Sequence, residues 1–67
     1  MNEPLNLLEK CEFHFNYKII QSRTMGYACF KAVNGFWQQI SKWYWYYGNL
    51  KRFCKEANEP CYYEIIE

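Results

Sequence analysis

The sequence predicts a small α+β fold: an antiparallel sheet of three to four strands in β-β-β-α-β order, with one helix packed on one face. Three observations predict it. Residues 11–19 alternate apolar and polar without a break, the period-two signature of a half-buried strand. Asn34-Gly35 separates two runs of strand-favouring residues, and this dipeptide is the strongest short-range hairpin signal because a type I′ turn needs positive φ at both central positions. Leu50, Phe53, Cys54 and Ala57 fall at i, i+3, i+4 and i+7, one apolar helical face.

Taken in order, Asn2 caps a short turn or helix starting near Pro4, with Leu5 and Leu8 as its inward contacts. In the first strand Cys11, Phe13, Phe15, Tyr17 and Ile19 face the core, and Glu12, His14, Asn16 and Lys18 face water. Residues 21–24 are polar and read as a turn. Residues 26–33 form the second strand. A two-residue loop at Asn34-Gly35 sets Val33 opposite Phe36, Ala32 opposite Trp37, Phe30 opposite Gln39, Cys29 opposite Ile40 and Gly26 opposite Trp43.

That register divides the third strand into two faces. Trp37, Trp43 and Trp45 lie across from Gly26, Ala28 and Ala32, large rings against small residues, which suits a core. Phe36, Ile40, Lys42, Tyr44 and Tyr46 share the other face with Tyr27, Lys31 and Val33. Residues 36–48 also fit a helical period, but the run 43–47 consists wholly of strand-favouring types, so strand is preferred. Gly48 breaks the run and Asn49 caps the helix, which Asn58 and Pro60 end. The helix lies across the tryptophan face and shows Lys51, Arg52, Lys55 and Glu56 outward. Residues 61–66 form the last strand.

With 67 residues the chain makes one domain, residues 1–67, and a domain this short keeps a thin stability margin. Ring systems compensate: five Phe, seven Tyr and three Trp, each able to bury roughly 150–250 Å². No apolar run is long enough to span a bilayer. The acidic start lacks the basic and apolar regions of a secretory signal, which points to the cytoplasm of a host cell and reduced thiols. Net charge is +1, but it is segregated. Between Phe13 and Lys55 there is no acid, while Lys18, Arg23, Lys31, Lys42, Lys51, Arg52 and Lys55 all fall there. Such a centre suits an acidic or polyanionic partner unless folding lays the terminal glutamates beside it.

Four cysteines, at 11, 29, 54 and 61, contain no Cys-x-x-Cys pair. A zinc site from Cys11, His14, Cys54 and Cys61, or disulfides in one of three connectivities, are weighed against small apolar core residues, and the core reading is preferred. No metal or cofactor is expected. Catalysis is poorly supplied: there is no Asp, one His and no glycine-rich phosphate loop. His14 with Glu12 is the one acid–base pair, and Cys29 or Cys54 a conceivable nucleophile. A non-enzymatic role follows.

The interleaving of rings and cations carries the functional expectation. Tyr27, Lys31, Lys42, Tyr44 and Tyr46, together with Lys51, Arg52 and Lys55 on the helix, are the candidate partner-binding residues. Tyr, Trp and Arg are enriched at interface hot spots, and the same residues could stack single-stranded bases and hold phosphates. Alternatively, a homodimer covers this face. In size and Asn/Lys/Tyr/Phe-rich composition the chain resembles the small accessory proteins of bacteriophages and mobile elements, anti-CRISPR proteins among them. That resemblance implies an inhibitor docking on a host protein or nucleoprotein complex, with a single-stranded nucleic-acid binder and a structural dimerisation module as the other readings and no membrane partner.

Overall fold

The computed structural model describes residues 14–66. The expected helix near Pro4 and residues 11–13 of the expected first strand lie outside them, while residues 14–16, expected as strand, precede the first strand as turn and bend. The described chain is α+β in the expected order. Strands β1 (Tyr17–Ser22), β2 (Gly26–Val33) and β3 (Phe36–Gln39) are followed by helix α1 (Tyr47–Phe53), a 3₁₀ turn (Lys55–Asn58) and strand β4 (Cys61–Ile66).

The sheet runs β3-β2-β1-β4. β1 and β2 pair antiparallel from Tyr17 opposite Lys31 to Ser22 opposite Gly26. Strand β1 thus runs two residues into the segment expected to turn. The turn itself is held by Ser22 Oγ, which accepts from the N–H groups of Thr24 and Met25, each at 3.3 Å, a short side chain mimicking a backbone turn. β4 pairs parallel with β1, Tyr17 opposite Cys61. The sheet is therefore mixed, not antiparallel throughout. After β3 the chain crosses back over the sheet through α1, and a crossover connection delivers the next strand parallel.

The Asn34-Gly35 hairpin forms with positive φ at both residues, 52° and 84°. Its register matches expectation from Val33–Phe36 to Phe30–Gln39. Beyond Gln39 the pairing departs. Ile40 N–H still bonds Cys29 O at 2.9 Å, but Cys29 N–H goes to the Ser41 hydroxyl at 2.9 Å. The ladder resumes as a bridge between Tyr27 and Tyr44, so Gly26 is not opposite Trp43. A bulge at 40–43 replaces continuous strand, held by backbone bonds at its two ends and by the Ser41 hydroxyl between them.

Helix α1 begins at Tyr47, so Gly48 and Asn49 lie inside it. Tyr46 is the N-cap, extended at φ −117° and without a side-chain cap bond. Asn58 closes the far end, donating from Nδ2 to Lys51 O at 2.9 Å. Leu50, Cys54 and Ala57 are buried as the helical period requires, the last through the 3₁₀ turn, while Phe53 is 62% exposed.

Ile19, Cys29, Leu50, Cys54 and Ala57 form the core, with Tyr17, Tyr27, Tyr44 and Cys61 packed around it. The helix therefore covers the sheet face of Ile19, Tyr27 and Cys29, not the tryptophan face. Period two places Ala28, Phe30, Ala32 and Trp37 on the opposite side, where Trp43 meets Phe30 edge-on at 6.1 Å. Trp45 is 65% exposed. Lys18, expected in water, is buried on that opposite side. Its Nζ lies 5.5 Å from the Trp37 ring centre and 5.8 Å from that of Tyr62, and bonds Glu64 Oε1 at 2.5 Å. A charged lysine tolerates this because its stem is apolar and its head is paired.

Candidate functional site: a ring-and-cation surface beside the helix

The helix placement decides the site. With α1 on the Tyr27 face, the hairpin residues and the outer side of the helix share one side of the sheet. Tyr27, on β2, sits 5.5 Å from Tyr47 at the start of α1. Tyr44, tied to β2 through its bridge with Tyr27, stacks on Phe53 of α1 at 5.8 Å and 17°. Sheet and helix are thus zipped by rings, which prefer such offset contacts and contribute about 0.5–1.5 kcal/mol per pair beyond area.

Cations dress these rings. Lys42 Nζ lies 5.7 Å from the centre of Tyr44, and Arg52 Cζ lies 5.4 Å from Phe53, so each ring of the stacked pair carries a cation. Lys51 Nζ lies 5.4 Å from Tyr47. Exposed cation–ring contacts are worth about 0.5–1 kcal/mol, enough to bias side-chain position while leaving the charge in water. Lys31, two residues beyond Cys29 on the same strand face, and Lys55, at the start of the 3₁₀ turn, are exposed. Tyr46 at the helix N-cap is 72% exposed.

Of the eight candidate residues, Tyr27, Lys42, Tyr44, Lys51 and Arg52 are tied together by these contacts. Tyr44 and Tyr27 are half-buried and serve packing as well. Tyr46, Lys31 and Lys55 are exposed beside this network. Sequence reasoning missed Phe53, Tyr47 and Tyr63. The helical spacing of Phe53 points it to the core, whereas it stacks on Tyr44 with 62% of its surface exposed. Tyr63, on β4, meets Tyr47 edge-on at 6.3 Å and donates from its hydroxyl to Gln21 Oε1 at 2.5 Å. Burial, followed by the neighbouring Tyr27 and Tyr47 hydroxyls, raises its phenol above the ordinary value.

The thiols lie beneath this surface. Cys29 and Cys54 are buried and Cys61 half-buried, all three as free thiols. Among the described residues no group of three or more His, Cys, Asp or Glu is arranged to hold a metal ion. His14 lines a shallow cleft with Phe15, Asn16, Tyr17, Glu59 and Pro60; its sequence partner Glu12 lies outside the described residues. No helix among the described residues is long and apolar enough to cross a membrane. Comparison with protein-family models, curated proteins and solved structures finds no match to this chain.

Proposed function

We propose that this protein is a non-enzymatic binding protein that docks through its helix-side surface on a host protein or nucleoprotein complex in the cytoplasm and blocks that partner's working face, as a phage-type inhibitor does. The observation that carries the reading is the continuity of the surface. Tyr44 and Phe53 stack on each other with Lys42 beside the first ring and Arg52 beside the second, and Trp45 and Tyr46, which follow Tyr44 in the chain, are 65% and 72% exposed. Rigid rings lose little side-chain entropy on docking, and arginine beside an aromatic is a recurrent hot-spot composition. The excess of cations favours an acidic partner surface.

The test is capture of partners from host lysate by the immobilised protein, with and without nuclease, beside Arg52→Glu and Tyr46→Ala. The expected result is one protein retained in stoichiometric yield after nuclease treatment. Either substitution should weaken it roughly tenfold or more, as loss of an interface anchor does, with the folded-state circular dichroism unchanged. Retention that vanishes with nuclease, together with oligonucleotide affinity that falls steeply with salt, would instead make the surface a single-strand binder. Equal capture by wild type and both variants would remove the helix side from the interface altogether.

A further inference from the structure

Three thiols converge at the centre of the molecule from three separate elements. Cys29 comes from β2, Cys54 ends α1 as its C-cap, and Cys61 opens β4. Cys29 and Cys54 belong to one buried cluster, with Cys61 packed against it. Cys29 on the sheet and Cys54 at the end of the helix are thus packed into the same small buried core. We infer that Cys29 and Cys54 form a reversible disulfide under oxidising conditions, stapling helix α1 to strand β2 beneath the ring-and-cation surface.

The pairing follows from topology. β2 and β4 lie on either side of β1, so their backbones are separated by about twice the 4.7–4.9 Å strand spacing. That exceeds the ~7 Å Cα separation a disulfide tolerates without backbone movement. Cys29 and Cys61 therefore share the core without being close enough in the backbone to be bridged. The Cys61 Sγ is moreover turned to the carbonyl oxygens of Glu59 at 3.0 Å and Glu56 at 3.6 Å. Cys54 comes from the helix layer that covers the Cys29 face of the sheet, and its extended C-cap backbone, φ −126° and ψ 106°, lies outside the helical turn. Closing the bond requires both thiols to leave their present acceptors, Phe30 O for Cys29 and Glu56 Oε1 for Cys54, and to rotate to an S–S separation of about 2.05 Å.

The chemistry balances with a low-molecular-weight disulfide as oxidant. One thiolate of the pair attacks the external disulfide, forming a mixed disulfide and releasing one small thiol. The second thiolate then attacks the protein sulfur of that mixed disulfide, releasing the other small thiol. Two protons leave the cysteines, two electrons pass to the reagent, and one S–S bond forms. Burial, then the neighbouring Cys54 thiol, pushes the Cys29 thiol well above its ordinary value. Because only the thiolate reacts, the bond forms slowly at neutral pH and faster as pH rises. The site stands whether or not the surface above it docks a partner.

The test is incubation of the full chain with oxidised glutathione at pH 7 and pH 9, followed by alkylation in denaturant and peptide mapping. The expected product is two hydrogens lighter than the reduced protein, carries a peptide cross-link between Cys29 and Cys54, and reverts with dithiothreitol. Closing this loop should raise Tm by roughly 10–20 °C in so small a domain. Cys61→Ala should retain the cross-link and Cys54→Ser should lose it. Mapping the wild-type protein needs no variant to fold. Free alkylation of both Cys29 and Cys54 after oxidation at pH 9 would overturn the inference, as would cross-links confined to Cys61 or Cys11.

Discussion

Lys18 shows how a single residue departs from its strand pattern. Alternation placed it on the wet face of β1, yet it is 6% exposed and joined to Glu64 across the parallel β1–β4 pair. The carboxylate is more open than the ammonium, with side chains 40% and 8% exposed, so the pair is desolvated mainly on the lysine side. Glu64→Gln should cost about 1–3 kcal/mol, the range for a charge-assisted bond whose partner stays buried. Urea denaturation reads this directly. The double substitution Lys18→Met with Glu64→Gln should recover most of the loss, since apolar groups of similar volume often replace a buried pair without penalty. Wild-type stability in Glu64→Gln alone would mean the pair contributes nothing net.

The three glycines separate elements that the sequence treats alike. Gly26 opens β2 at φ +96°, and a Cβ there would stand 2.1 Å from Tyr44 O. It is the closest point of the bridge that fastens the 40–43 bulge. Gly26→Ala should therefore cost at least about 2 kcal/mol, from strain and overlap together, and loosen Tyr44 from Phe53. Gly35 has φ +84° but open space around it, so Gly35→Ala should cost only the left-handed penalty of about 1–2 kcal/mol. Gly48 lies inside α1 with nothing near its missing Cβ. Gly48→Ala should stabilise the protein by about 0.5–1 kcal/mol. Chemical denaturation of the three variants should give that order, and a destabilised Gly48→Ala would contradict the helix boundary at Tyr47.

For the molecule as a whole, the buried thiols set an alkaline limit. Cys29 and Cys61 are both raised above the ordinary thiol value, chiefly by burial. In the unfolded chain they ionise at their normal pKa, while in the fold they hold their protons to higher pH. Above that unfolded value the native state binds more protons, so stability falls with rising pH. The full contribution is present below pH ~8.5, and each thiol then removes about 1.4 kcal/mol per pH unit until its folded pKa is reached. Thermal melts of the reduced protein should decline from about pH 9 upward. In Cys29→Ala the curve should be flatter, even though the variant is less stable at neutral pH.

What the sequence determined by itself was local. The Asn34-Gly35 turn, the β2–β3 register next to it, the bounds of β2 and β4, and the inward set Leu50, Cys54 and Ala57 all rest on short-range backbone chemistry and periodicity. The eight candidate residues were legible as a composition of rings and cations. Whether they formed one surface or two was not, because a two-faced sheet rich in rings on both sides gives no signal for the side a helix will cover. Only tertiary packing decided that. Leu50 went to the Ile19–Cys29 face, the bulge at 40–43 carried Tyr44 toward the helix, and Phe53 was left outside to stack on it. The parallel β1–β4 pair and the burial of Lys18 followed from the same crossover. Each depends on contacts between residues far apart in the chain, which no local pattern encodes.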